Sequence, residues 1–337
     1  MKKFKRQVAC VVTALALTFG LSACGSTEKK DTTEATTEAT TEAVTEETTE
    51  ATTEAEPASS ADAVSETVYP VEISNSDGTV VTIAEEPEKI VSVAPNLTEL
   101  VYKLDAEEKL VGRSDYCDYP SEVFDIESVG NIQTPDIEKI ISLEPDVVIV
   151  STHFEDENAD KLEEAGIPVV ALYEEADVEG VYSMIETLGE VVNRNEEAAA
   201  CVEEMQETIA DVQEKVSGLE TPTVYYVVGY GEYGDYTAGG DTFVGKMLEM
   251  AGGDNIAKDI SGWSITLEEL VEADPSIIVI SEYMKSDFMS LPNYSDLTAV
   301  KEGNVYTLDT NMLDRQGYRN AEGILELAKI FHPEAFE

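Results

Sequence analysis

Between residues 178 and 216 the chain mixes charged and apolar positions at helical spacing. In the second half of that run Ala198, Cys201, Met205, Ile209, Val212 and Val216 recur in steps of three and four. They draw one apolar stripe on an otherwise Glu-rich surface. A helix over 196–216 is about 30 Å long at ~1.5 Å per residue, enough to cross from one small domain to another. A surface helix lying on a single core carries the same stripe, so the flanking sequence decides between the two.

Those flanks look like one unit written twice. Before the helix stands Glu138-KIISLE-Pro145-DVVIVS, and after it Glu268-ELVEAD-Pro275-SIIVIS. Each predicts a short amphipathic helix that stops before a proline, because proline disfavours helix in the residue preceding it. A continuous β-branched run follows at once, the pattern of a strand buried on both faces. The first copy continues through a helix into Ile167-PVVALY, the second through Ala299-VKEGNVYTL. Two α/β lobes joined by a helix, with a cleft between them, account for this repetition.

The remaining pattern fills in the lobes. A hairpin is expected over 71–83, turning at Asp77-Gly78. Strands follow at Lys89-IVSV and Leu110-VGRS, separated by a helix over 97–104 for which Asn96 and Glu99 are spaced as a capping box. A helix over 156–165 and a strand near Val169 complete the first lobe. Asn193-Arg194-Asn195 is a stop-and-restart signal inside the long helical run. The second lobe opens with Thr223-VYYVVG, then a loop rich in glycine and tyrosine, a helix over 242–250 and a Thr266/Glu269 capping box. It closes with Asn304-VYTL, the loop 309–319 and a last helix to Phe331. Alternating strands and helices imply α/β layers with parallel sheets. The expected architecture is two Rossmann-like lobes, 67–177 and 217–337, joined by one long backbone helix over 178–216.

The N-terminus stands apart from this folded part. Residues 1–24 combine a basic start (Lys2, Lys3, Lys5, Arg6) with an apolar run over 8–19, too short to span a membrane comfortably. The run ends in Leu21-Ser22-Ala23-Cys24-Gly25, which resembles the lipobox of bacterial lipoproteins. That resemblance implies a lipidated Cys24 as the mature N-terminus and stable tethering to the outer face of the cell membrane. Residues 25–66 repeat Thr-Thr-Glu-Ala, with no Lys or Arg between Lys30 and Lys89. Such a segment has too little to bury to offset its ordering entropy, and is expected to be a disordered stalk of roughly 35 Å root-mean-square span.

Charge and chemistry narrow the function. A formal net charge of −49 with no basic stripe excludes nucleic acid as a partner. Gly240-DTFV-Gly245-Lys246 opens like a phosphate-binding loop, but Met247 stands where a magnesium-binding Ser or Thr is needed. No Gly-x-Ser-x-Gly elbow precedes a plausible His partner. With only His153 and His332, far apart in sequence, a site built from several imidazoles is excluded. Cys201 reads as a small core residue.

Tyr116, Tyr119, Tyr230, Tyr233, Tyr236 and the single tryptophan, Trp263, fall in loops beside strands. In doubly wound folds such loops gather where ligands bind. Flat amphipathic rings suit a large, planar, part-polar ligand, and Asp314, Arg315 and Arg319 offer charges near the same mouth. Covering of the sheet ends and a surface salt bridge explain the same residues without a ligand.

From Lys89 onward the chain resembles the helical-backbone family of substrate-binding proteins for ABC importers of cobalamin, haem and ferric siderophores. The resemblance is carried by Ile90-VSVAPNLTEL, Ser114-DYCDYP, the two proline–strand units, Gly239-Gly-Asp-Thr-Phe with Ala251-Gly-Gly-Asp-Asn-Ile, and Asp314-Arg-Gln-Gly-Tyr-Arg319. Ser114-DYCDYP is most like the cobalamin branch. The resemblance implies a ligand-facing tyrosine at Tyr116, a cleft tryptophan at Trp263 and a polar contact at Asn311. It also implies permease-docking carboxylates at Glu138 and Glu268, each seven residues before its proline. Ile132, in place of a second tryptophan, and Asn311, in place of an aspartate, depart from the cobalamin pattern.

The expected function is therefore an exported, lipid-anchored receptor without enzymatic activity or a cofactor of its own. It delivers a corrinoid, the transported chelate being its ligand, to an ABC importer with a permease dimer. Tyr116, Tyr230, Tyr236, Trp263, Asn311 and Arg315 are the expected ligand-binding residues. A haem or ferric-siderophore receptor stays open. So do a surface enzyme, which needs a cleft carboxylate pair with one raised pKa, and a stalked adhesin, which needs no enclosed cleft.

Overall fold

The computed structural model describes residues 66–173 and 176–337. The expected signal peptide, Cys24 and the tether as far as residue 65 lie outside them. A hairpin, β1 (Val71–Ser74) and β2 (Val80–Ile83), turns at Gly78. It leads to β3 (Ile90–Ser92), α1 (Pro95–Lys103), β4 (Leu110–Arg113), α2 (Ile137–Ser142), β5 (Val147–Val150), α3 (Asp156–Glu164) and β6 (Val169–Ala171). Helices α4 (Val178–Val192) and α5 (Asn195–Val216) follow. The second half contains β7 (Thr223–Val227), β8 (Asp235–Tyr236), α6 (Phe243–Met250), β9 (Asp254–Asn255), β10 (Ser264–Ile265) and α7 (Leu267–Ala273). It ends with β11 (Ile277–Ile280), α8 (Glu282–Ser290), α9 (Thr298–Glu302), β12 (Val305–Thr307), α10 (Asn311–Asp314) and α11 (Arg319–Phe331).

The internal repeat reappears as topology. The first sheet runs β4-β3-β5-β6 and the second β9-β7-β11-β12, all parallel. In both, the chain lays its first strand, places the second on one side, then crosses over and adds the third and fourth on the other. Each proline of the repeat follows a residue in the left-handed region, Glu144 at φ 52° and Asp274 at φ 39°. That conformation ends the short helix and sends the chain straight into the buried strand.

Alternation along the strands divides the core. Val147, Ile149, Val224, Tyr226, Ile277 and Val279 enter one continuous cluster shared by both lobes. Their neighbours Val148 and Val150 enter a core private to lobe 1, and Tyr225, Val227, Ile278 and Ile280 one private to lobe 2. The stripe of α5 lies in the shared core: Ala198, Cys201, Met205, Ile209 and Val212 are all buried there, with Val216 packed against it. At ~1.5–3 kcal/mol for each fully buried aliphatic side chain, this shared cluster binds the lobes to the helix as one body.

The run 178–216 is two helices, not one. Asn193 adopts φ 55° and caps α4, its backbone N–H bonding the Gly189 carbonyl, and the chain restarts at Asn195. Helix α5 packs on α11 and α6 of lobe 2 as well as on α4; α4 covers lobe 1, against β1 and α1, while its start faces α6, where Lys246 Nζ donates to the Ala176 carbonyl. The two helices cross closely at Gly189, where a Cβ would stand 2.5 Å from Ala198 Cβ and 3.1 Å from the Arg194 carbonyl oxygen.

Two local expectations fail or fall short. Asn96 and Glu99 form no capping box: α1 starts two residues earlier, behind Ala94 with Pro95 in its first turn and no side-chain cap. Proline's fixed φ already suits that position, which frees both side chains for other contacts. Helix α8 was not foreseen, because its apolar residues Tyr283, Met284, Phe288 and Met289 make no sustained stripe. The Thr266/Glu269 box, by contrast, is present in both directions.

Gly189→Ala is expected to lower stability by about 1–3 kcal/mol through overpacking, outweighing the ~1 kcal/mol gain in helix propensity. Thermal denaturation should show it, and adding Ala198→Gly should recover much of the loss. No drop in the single variant would mean that the crossing is not as tight as described.

Candidate functional site

A cavity of about 670 Å³ opens between the lobes. Lobe 1 contributes the turn after β3 (Ala94, Pro95, Asn96), the segment after β5 (Ser151, Thr152, His153) and Ile132. The first two leave neighbouring strands in diverging directions, the switch point at which open α/β sheets bind ligands. Lobe 2 contributes Asp241, Thr242, Phe243 and Val244 at the start of α6, Gly262 and Trp263 before β10, and 313–316 from the last loop. The volume and the mix of apolar walls with few polar groups fit a small-molecule site. The glycines that imitated a phosphate loop serve packing: a Cβ on Gly245 would lie 2.0 Å from the Gly239 carbonyl oxygen.

The charges around the cavity are engaged by the protein. Arg315 Nη1 bonds Glu99 Oε1 at 2.7 Å and Asp118 Oδ1 at 2.6 Å, both from lobe 1. Glu99, with its side chain 4% exposed, also faces Arg319 Nη1 at 3.6 Å. Arg319 in turn pairs with Asp309 and lies 4.3 Å from the Tyr119 ring centroid. Burial raises the Glu99 carboxyl above its usual range, with Arg315 pulling the other way. For Asp309, burial acts upward but the Arg319 hydrogen bond and the Asn311 backbone prevail, so its pKa is lowered. Asn96 adds a further inter-lobe tie, Nδ2 donating to the Gln316 carbonyl at 3.0 Å.

Two carboxylates line the cavity. The Ser261 hydroxyl and the Gly262 N–H, at 2.7 Å from Oδ1, hold Asp241 below its usual range. Asp314 accepts the Tyr226 hydroxyl at 3.0 Å; burial of the carboxyl raises it despite that bond.

The structure brings together only part of the expected set. Trp263 and Arg315 line the cavity. Tyr116 stands at its edge, half exposed, its carbonyl 3.4 Å from Arg315 Nη2 and its hydroxyl accepting from Asn131 at 3.3 Å. Tyr236 pairs with Ser264, beside Trp263, and its hydroxyl donates to the Tyr233 carbonyl. Asn311 begins α10, two residues before the lining segment, its N–H held by Asp309.

Tyr230 is a correction. Although it follows β7, its ring packs edge-on against Phe288 at 5.1 Å and Tyr294 at 5.7 Å, and its hydroxyl donates to the Met284 carbonyl. The aromatic cluster of lobe 2 holds it there, away from the cavity lining. Sequence reading missed Glu99, Phe243 and His153. The one available hint for Glu99 was an acid within the apolar run of α1, together with two arginines four residues apart downstream.

Glu138 and Glu268 occupy the same place in the repeat, the second residue of α2 and of α7. Both are exposed, and neither makes an ion pair or a side-chain hydrogen bond with the described residues. Cys117 and Cys201 are free and buried. The Cys117 thiol sits between the Thr98 and Ser114 hydroxyls, and burial pushes Cys201 up to about 11. No helix among the described residues is long and apolar enough to cross a membrane.

Two topologically equivalent α/β lobes around an inter-lobe cavity, sharing one core with a connecting helix, define a bilobal ligand-binding protein. The chain belongs to the periplasmic binding protein family, whose model matches residues 90–312. It is 34% identical over 292 residues to the uncharacterized ABC transporter substrate-binding lipoprotein YvrC of Bacillus subtilis, covering 83% of this chain and 92% of that one. It is 28% identical over 291 residues to a cobalamin-binding protein of Halobacterium salinarum, covering 82% and 78%. A crystal structure of a periplasmic heme-binding protein from Pseudomonas aeruginosa superposes with a TM-score of 0.67 at 25% identity, over 73% of this chain and 93% of that one.

Arg315→Ala leaves Glu99 buried with only the more distant Arg319, and should cost about 3 kcal/mol at pH 7. A carboxyl whose folded pKa is raised contributes stability that is present below its unfolded value, about 4.3, and lost as pH rises through the folded value. Without Arg315 the folded pKa rises further, so the deficit should shrink between pH 7 and pH 5. Urea unfolding of wild type and variant at both pH values measures this; an equal deficit at both would remove Glu99 from the account.

Proposed function

We propose that this protein is an extracytoplasmic substrate-binding lipoprotein that delivers a corrinoid, a cobalamin-like metal chelate, to an ABC importer. The observation that carries the ligand class is the charge of the cavity. Among the described residues its only lining arginine, Arg315, is already held by Glu99 and Asp118, so an anionic siderophore or the propionates of haem would meet no free cation from them. A ligand without strong negative charge suits the apolar and aromatic walls, with Trp263 as the stacking surface and Tyr116 and Tyr236 at the rim. The cobalamin-binding relative supports the same reading, and the heme-binding neighbour keeps haem as the alternative ligand.

Lipid attachment at Cys24 supplies the membrane tether in this reading, and the family membership supplies the importer as partner. For a surface hydrolase the favourable observation is the Asp241–Asp314 pair, one carboxyl lowered and the other raised. Both Asp241 oxygens, however, are engaged by Ser261 and Gly262, and Asp314 accepts from Tyr226, which leaves neither poised as a nucleophile or proton donor.

Cyanocobalamin or cobinamide should quench Trp263 fluorescence at micromolar concentration or below, because a metal macrocycle stacked near the only indole accepts its excitation. Quenching by hemin but not by corrinoids would transfer the assignment to haem.

Docking rests on the repeat. An acid in a first helical turn complements the helix dipole by ~0.3–1 kcal/mol, but unpaired acids at equivalent points of two lobes also suit two-fold-related cations on a permease dimer. The Glu138→Ala/Glu268→Ala double variant should bind corrinoid as wild type yet reduce uptake by an order of magnitude or more. Unimpaired transport would reduce both to helix-start acids.

A further inference from the structure

Every charged side chain lining the cavity has a partner within the protein; the remaining strong donor is His153. Its Nδ1 lies 3.0 Å from Thr152 Oγ1, its only side-chain hydrogen bond among the described residues, in which Nε2 has no partner. The residue is exposed and lines both the inter-lobe cavity and the adjoining groove along β6, so a ligand can reach the ring. The chain's other imidazole, His332, is buried, with Nε2 at 2.9 Å from the Gly252 carbonyl. The thiols of Cys117 and Cys201 are buried among the elements around α1 and α5, away from the lining.

In the tautomer whose Nδ1–H donates to the Thr152 hydroxyl, Nε2 keeps its lone pair. A hydrogen bond at one ring nitrogen is how metal-binding imidazoles are oriented, and imidazole suits first-row transition metals. His153 also sits at φ 76°, a backbone region in which His and Asn are enriched among non-glycine residues.

We propose that His153 coordinates the metal of the bound chelate through Nε2, making the site selective for corrinoids that have an exchangeable axial position. This rests on the corrinoid reading above. The step is ligand exchange: the bond from cobalt to an axial water breaks, the water leaves, and the Nε2 lone pair forms a cobalt–nitrogen bond. No electron is transferred and the oxidation state of the metal is unchanged. Selectivity follows because a corrinoid with both axial positions filled by strong ligands gains nothing from the imidazole.

The test compares diaquocobinamide with dicyanocobinamide, the same ring with both axial positions occupied by cyanide. Purified wild-type protein should shift the visible absorption of the diaquo form on binding and prefer it to the dicyano form by at least tenfold. His153→Asn, which tolerates the same backbone conformation, should abolish the shift and reduce that preference at least tenfold. Binding of the dicyano form reports that the variant is folded. If the variant binds diaquocobinamide with wild-type affinity and spectrum, or if wild type binds it with no spectral change, the coordination is overturned while the corrinoid reading stands. If wild type binds neither corrinoid, the corrinoid reading fails and this inference with it.

Discussion

The buried carboxylate of Glu99 is the point on which the geometry of the cleft depends. It belongs to the first helix of lobe 1, yet it meets Arg315 and Arg319 from the far end of the chain. A buried ion pair is weak evidence for net stability, since desolvation offsets much of the attraction. Its consequence here is positional. An unpaired charge in that environment is costly, so the last loop can lie only where its arginines reach Glu99. That requirement carries 313–316 into the cavity wall and consumes the cation that would otherwise face a ligand.

The same constraint acts together with the core. Inter-domain contacts within a chain are commonly polar and permissive of motion. In this protein, alternate residues of both sheets enter one apolar cluster with α5, and Lys103 on α1 meets Glu204 on α5 at 2.6 Å. Separating the lobes would expose the shared cluster as well as break the ion pairs. A largely preformed cleft follows.

The two lobes repeat a topology but not a use. Lobe 1 offers its switch point directly, through the turns after β3 and β5. Lobe 2 offers the start of α6 and the Trp263 segment, while Tyr230, three residues after its own first strand, is turned into an aromatic cluster. A repeated fold thus presents two different walls, one ending in an imidazole and the other in an indole, with paired rather than free charges between them.

The sequence by itself determined what depends on local pattern. The period of α5, the β-branched runs of β5 and β11, the Asp77-Gly78 turn and the Thr266/Glu269 box were legible because each is set by residues within a few positions of one another. The equivalence of the lobes was legible too, since Glu138 to Ser151 and Glu268 to Ser281 repeat in register. Tertiary structure decided the rest. Asn96 and Glu99 have capping-box spacing, but which groups they bond depends on Gln316, Arg315 and Arg319, more than two hundred residues away. Tyr230 and Trp263 are alike as loop aromatics, and only the packing of Phe288 and Tyr294 sends one inward and leaves the other at the cavity. His153 had no neighbour in sequence to mark it as a donor. Its availability is a property of the assembled cavity, in which the other charged groups have already found partners.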